Sequence, residues 1–254
     1  MPQFSDDLFL GSAQTYMGTN YNSNLGDPSP MDLGVGPVGR IYVWDVVPLT
    51  KQTNNISAAA SYAGAGSATL AAGTGTTSVL RPDGVTVIQL DCPRAVSITI
   101  GTGTITNRNV TITGYDYYGQ PMSEVIATGT TQSTTVNGLK AFYQISGATV
   151  SGAVGGTVAI GTTDVLGSPV RFNDKGYLSR VGWAGVLAED AATVVVADST
   201  TATTTTGDVR GTVTPSSAAD GAKRLVVAIL LTGIQVGPNA TRAGALGVNQ
   251  NLVS

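Results

Sequence analysis

Adjacent carboxylates at Glu189 and Asp190 are the pair through which this chain could run acid–base chemistry, as when two acids flanking a glycosidic bond cleave it. Neighbours in a strand point to opposite faces, and most of the other acids lie beside Gly or Pro, so solvated turn acids are the expected reading. Histidine is absent altogether. Its absence removes the common general base, the common zinc ligand and every Ser-His or Cys-His arrangement. Asp198, Asp208 and Asp220 carry oxygens of the kind calcium takes, but none sits in a spaced acidic loop, and each reads as a turn residue capping its own backbone. Gly34-Val35-Gly36-Pro37-Val38-Gly39 has the spacing of a dinucleotide-binding turn. That chemistry needs a strand before the turn and a helix after it, whereas here irregular sequence precedes and a strand follows, so a loop is expected. Cys92, the single cysteine, forms no intramolecular disulfide and is expected as a small buried hydrophobe. No catalytic residue, cofactor or metal is therefore expected.

Tyr115, Tyr117 and Tyr118 form the one aromatic cluster in a chain that is 6% aromatic. Sugar stacking is its functional reading, with packing in a core or interface preferred. Asn55-Ile56-Ser57, Asn109-Val110-Thr111 and Asn239-Ala240-Thr241 match the glycosylation pattern, as a Thr-rich chain does by chance.

The elements that must carry these residues are strands. Val96, Ile98 and Ile100 alternate with Ser97 and Thr99, and Val110 and Ile112 with Thr111 and Thr113, which predicts half-buried strands. Asp, Gly and Pro in Tyr115 to Pro121 predict a hairpin. Further turns are expected at Asn137-Gly138, Ser146-Gly147, Gly155-Gly156 and Asp174-Lys175-Gly176. The first firm strand is expected at Ile41 to Val47, ended by Pro48. The small-residue stretch Ser57 to Ser78 is expected as a hairpin lying on the surface. Gly and β-branched residues interrupt every candidate helix, and Ala184 to Ala192 alone suggests a helical turn.

At 254 residues and 42% hydrophobic content, the chain can bury one large β core or two modest ones. Only 11% of its residues are charged, so Thr, Ser, Asn and Gly must cover the surface. Such short side chains order at little rotamer cost, which suits packing against neighbours. A net charge of −3 with a pI near 4.8 argues against nucleic acid as a direct partner. The first residues lack the basic and apolar regions of a signal peptide, so a protein made and kept in the cytosol is expected. The longest apolar run, Leu225 to Leu231, is far shorter than the roughly 20 residues of a membrane span, and no membrane partner is expected.

Residues 1 to about 50 show neither helical nor strand periodicity before that first strand and read as an extended arm. The arm carries Phe4, Leu8, Phe9, Leu10, Tyr16, Tyr21 and Leu25, more apolar anchors than a disordered tail holds, and these are expected to dock on another subunit. At the other end, Leu225-Val226-Val227-Ala228-Ile229-Leu230-Leu231 is apolar at every position. Burial on both faces is expected, with Leu225, Val227, Ile229 and Leu231 as a candidate self-association strand.

Two portions resemble structural proteins of tailed-phage heads. Arg108 to Phe172 has the cadence of β-rich virion proteins, in Asn109 to Asp116, Gly119 to Glu124 and Thr163 to Gly167. Trp183-Ala184-Gly185-Val186-Leu187-Ala188-Glu189-Asp190, then Thr206-Gly207-Asp208-Val209-Arg210-Gly211, then Asp220-Gly221-Ala222-Lys223-Arg224-Leu225 before a closing apolar strand, resemble the C-terminal half of the lambda-type head decoration proteins. Periodicity and turn spacing predict an all-β chain with an extended N-terminal arm and first strand in 1–50 and a β-sandwich or barrel-like region in 51–162, and the resemblance implies a small β-tulip-like module in 163–254. It implies a decoration, or cement, protein on the outer surface of the virion, partnered by the major capsid protein and by itself, with a homotrimer favoured. A phage tail or receptor-binding β-protein with carbohydrate affinity is the alternative.

Overall fold

The structure, a computed structural model, describes residues 7–9, 38–172, 174–198 and 207–232. The chain begins with β1 (Asp7–Phe9) and β2 (Val38–Val46), then three short strands, β3 (Ser57–Ser61), β4 (Gly66–Ser67) and β5 (Thr76–Leu80). Longer strands follow: β6 (Thr86–Ile100), β7 (Asn109–Tyr115), β8 (Pro121–Ala127), β9 (Thr134–Val150) and β10 (Thr157–Gly167). A 3-10 turn, Lys175–Tyr177, leads to β11 (Leu178–Trp183), β12 (Thr193–Val195), β13 (Thr212–Thr214) and β14 (Leu225–Thr232).

The protein is all-β. One antiparallel sheet, in the order β12-β13-β10-β6-β9-β7-β8 with β3, β4 and β5 added along it, curls into a half-barrel. A second sheet runs β1-β2-β14-β11. The curl has a local cause in bulges, which bend and twist a strand where extra residues oppose fewer partners. In β6 the register with β9 shifts between Gln89 and Arg94, at Asp91-Cys92-Pro93, the position where a strand tolerates proline.

Bulges also account for two expected turns that are not turns. Asn137-Gly138 and Ser146-Gly147 both lie inside β9, beside register shifts against β6 and β7. The same Gly-containing dipeptides serve a turn or a bulge, and the neighbouring strands decide which. At the second shift Gly114 comes so close to β9 that a Cβ there would lie 2.0 Å from the Gln144 carbonyl oxygen. The turn at Gly155-Gly156 does form, with Gly155 at φ +85°.

The stretch Ser57 to Ser78 does not fold back on itself. Its strands pair instead with three members of the large sheet, β3 with β10, β4 with β9 and β5 with β6. Side chains this small offer little cross-strand contact to one another, so the backbone takes its partners from strands already held in the core. The arm also differs from expectation, since Asp7–Phe9 is a strand against β2. The expected boundary near residue 162 falls within β10, which runs through it unbroken.

Alternation is kept in β7 and β8, where every second residue is buried. Strand β6, flanked by β10 and β9, is buried on both faces at its centre, so Ser97 is buried along with Val96 and Ile98. Two apolar clusters result. One fills the curl of the large sheet, around Ile98, Ile112, Phe142 and Ile160. The other joins the two sheets through Trp44, Leu166, Phe172, Trp183, Val213 and Val227, with Cys92 among them as expected.

No helical turn forms at Ala184 to Ala192. The chain instead reverses tightly over Trp183 to Val186, with the Val186 N–H donating to the Trp183 carbonyl at 3.1 Å and Ala184 and Gly185 at φ +56° and +73°. Positive φ at both central positions marks a type I′ turn, which suits Asn and Gly better than alanine. Ala184→Asn is therefore expected to raise stability by about 0.5–1 kcal/mol, measured by urea denaturation.

Candidate functional site

Five buried charged side chains, Asp116, Glu124, Lys140, Asp208 and Arg210, meet where the β7–β8 hairpin and β9 face residues 207–211. Strand alternation puts Glu124 on the same face as Met122 and Ile126, so it turns inward and is only 3% exposed. Its Oε1 accepts from the Leu139 N–H at 2.7 Å and its Oε2 from the Lys140 N–H at 3.3 Å. Gly138 makes the approach possible, since a Cβ there would lie 2.6 Å from Glu124 Oε2. The next backbone N–H, that of Ala141, donates to Asp208 Oδ2 at 3.1 Å. Carboxylates thus accept from three consecutive N–H groups along β9, in the place of a neighbouring strand. Lys140, 1% exposed, sends its Nζ to the Ser123 carbonyl oxygen at 3.1 Å.

A second ionic contact lies beside the first. Arg210 Nη1 reaches Asp116 Oδ2 at 2.5 Å, with both residues buried, and its guanidinium lies 4.8 Å from the centre of the Tyr118 ring. The other oxygen of Asp116 accepts from the Tyr118 and Gln120 N–H groups, each at 2.8 Å, and shapes the expected hairpin turn. Elsewhere Arg94, also buried, donates through both Nη atoms to the Leu49 carbonyl and pairs with Asp91.

These acids correct the expectation that the carboxylates other than Glu189 and Asp190 are mostly solvated turn residues. Asp116 and Asp208 do cap turns, but both are buried, and Glu124 sits in a strand. A sequence signal for Glu124 existed in the alternation Met122, Glu124, Ile126. Glu189 is exposed as expected, and Asp190 is held by the Ser216 N–H and hydroxyl. Asp220 caps its turn through the Ala222 and Lys223 N–H groups. Among the described residues no group of three or more acidic or cysteine side chains is arranged to hold a metal. No described helix is long and apolar enough to cross a membrane.

No family model, curated protein or solved structure matches this chain.

The other candidate residues are scattered. Phe4, Leu10, Tyr16, Tyr21 and Leu25 lie outside the described residues, as do Gly34 to Pro37, while Leu8 and Phe9 are described as backbone in β1. Val38 and Gly39 already belong to β2. Leu225, Val227 and Ile229 are fully buried against the chain's own core, whereas Val226 and Ala228 between them are only half-buried. The backbone of Leu231 pairs with Arg40. The apolar run is therefore not buried on both faces within one chain.

The tyrosines form a surface rather than a core. Tyr117 is 37% exposed and meets Tyr118 and Tyr143 edge-on, each with ring centres 5.3 Å apart. The Tyr118 hydroxyl donates to the Pro169 carbonyl oxygen at 2.9 Å. Arg81 stacks on Tyr115 and donates to Gln144, which donates in turn to Gln89.

Burial pushes the Glu124 carboxyl up to about 7, against the pull of the Leu139 and Lys140 N–H groups and the Lys140 charge, and Asp208 adds to the rise. A carboxyl tuned to that value suits proton transfer. Here it has no open face, because both oxygens are spent on β9 backbone. Its consequence is for stability. A carboxyl raised on folding favours the folded state fully below its unfolded value near 4.5, and this contribution is lost as pH rises through about 7. Lys140, lowered chiefly by burial, faces Glu124, Asp208 and Asp198. Urea denaturation is thus expected to show the protein gaining roughly 1–1.5 kcal/mol between pH 8 and pH 6, and Glu124→Gln to flatten that dependence.

Proposed function

We propose that this protein decorates and stabilises the capsid of a tailed phage, binding on the outer surface between major capsid subunits, with a homotrimer favoured. The observation that carries the reading is the meeting of the segments that resemble head decoration proteins. Trp183 pairs with Leu225 and the Ala184 N–H donates to the Arg224 carbonyl, so the first and third of those segments meet in the second sheet. Trp183 and Leu225 both lie in the second apolar cluster, which supports reading a β-tulip-like module there. The surface agrees with assembly. Leu187, 90% exposed, and Val186 beside it stand on a loop whose carbonyls are held by Arg180. Neighbouring large apolar side chains held out in this way suit burial against another protein.

The test is binding of the purified chain to expanded phage heads. Saturable attachment, weakened by deleting residues 1–30 while the β core stays folded, is the expected result. Labelled virions showing signal only on tails would sink the proposal. The exposed ring of Tyr117, edge-on to Tyr118 and Tyr143, favours a second reading as a tail or receptor-binding protein with sugar affinity. Glycan binding abolished by Tyr117→Ala would select it.

A further inference from the structure

Strands β1 and β2 are antiparallel neighbours in the register Asp7↔Tyr42, Leu8↔Ile41 and Phe9↔Arg40. Strands joined as a hairpin need a loop of about 2–5 residues, yet residues 10–37 separate these two. A connection of that length is not required to return the strand to its own sheet. At up to about 3.5 Å per residue it can also reach a neighbouring molecule.

The β2 edge is a row of backbone N–H and C=O groups, and such an edge does not distinguish a strand from its own chain from the same strand of another copy. On that side β1 meets only Arg40 to Tyr42. Among the described residues no strand lies beside Val43 to Val46. We propose that the arm strand Asp7–Phe9 is exchanged between copies of this chain, each arm completing the β2 edge of a neighbour. The occupant is a second copy because the arm and this edge already match in register within one chain. Loop closure entropy changes slowly with length, so a neighbour held nearby competes on even terms with the chain's own edge. Reciprocal exchange closes a dimer, and head-to-tail exchange closes a ring. Exchange holds or fails independently of what the assembly decorates.

The experiment uses the full chain carrying Leu8→Cys and Ile41→Cys, oxidised at micromolar concentration and resolved on a non-reducing denaturing gel. Cys92 stays out of the reaction, being buried with its thiol pushed up to about 12. The expected result is that most disulfide-linked chains run as dimers or larger species. Mixing two copies of different tag length, one with Leu8→Cys and the other with Ile41→Cys, is expected to give the linked heterodimer. Should the pair disturb folding, Asp7→Cys with Tyr42→Cys tests the adjacent register position. Only intrachain disulfides with no heterodimer in the mixture, or no disulfide in either arrangement, would overturn the proposal.

Discussion

Asp116→Ala is expected to destabilise the protein by about 3–5 kcal/mol, because breaking a buried ion pair leaves its other charge in a medium that solvates it poorly. Arg210 would lose the carboxylate that meets it at 2.5 Å, while the Tyr118 ring stays 4.8 Å from its guanidinium. The hairpin tip would at the same time lose the acceptor of the Tyr118 and Gln120 N–H groups. At roughly 2–4 °C per kcal/mol for a chain of this size, the unfolding midpoint should fall by about 10 °C. Asp116→Asn separates the two effects, since an amide oxygen still accepts from the turn but carries no charge. Calorimetry of both variants checks the argument, and a loss below about 1 kcal/mol in each would show that water screens the pair.

Val227→Asp is expected to leave no stably folded chain, while Val226→Asp folds with a loss of about 1 kcal/mol or less. Val227 is fully buried, between Trp44 of β2 and Val181 of β11 in the sheet register. A carboxylate there has no partner and costs several kcal/mol, a large part of the stability of an ordinary domain. Val226 stands on the opposite, half-buried face, where a charge can reach water. Circular dichroism reads the fold and light scattering the assembly. A folded, monomeric Val226→Asp beside an oligomeric parent would place the self-association surface on that second face. Equal damage from both substitutions would restore burial on two sides.

The ion-poor surface follows from composition, but which ions go inside does not. Lys140 and Arg94 are among the largest fully buried side chains, though lysine and arginine are rarely buried without partners. Other buried charges find partners far away along the chain. Asp208 reaches β9 at Ala141, and Arg210 reaches Asp116 at the hairpin tip. No window of sequence contains both members of either contact.

Strand character, the alternation of Val110 and Ile112, the hairpin at Tyr115 to Pro121 and the burial of Cys92 were legible from residues alone, because each rests on side chains a few positions apart. The same local rules misread Asn137-Gly138 and Ser146-Gly147 as turns, since a bulge and a turn ask for the same residues and differ only in what lies alongside. Tertiary structure decided which strands are neighbours: β14 beside β2, the small-residue strands spread over three partners, and Glu124 set against β9. The physical reason is that a backbone edge accepts any strand of suitable register. The choice among partners is made by which arrangement buries the apolar faces together and leaves every buried charge an answering group.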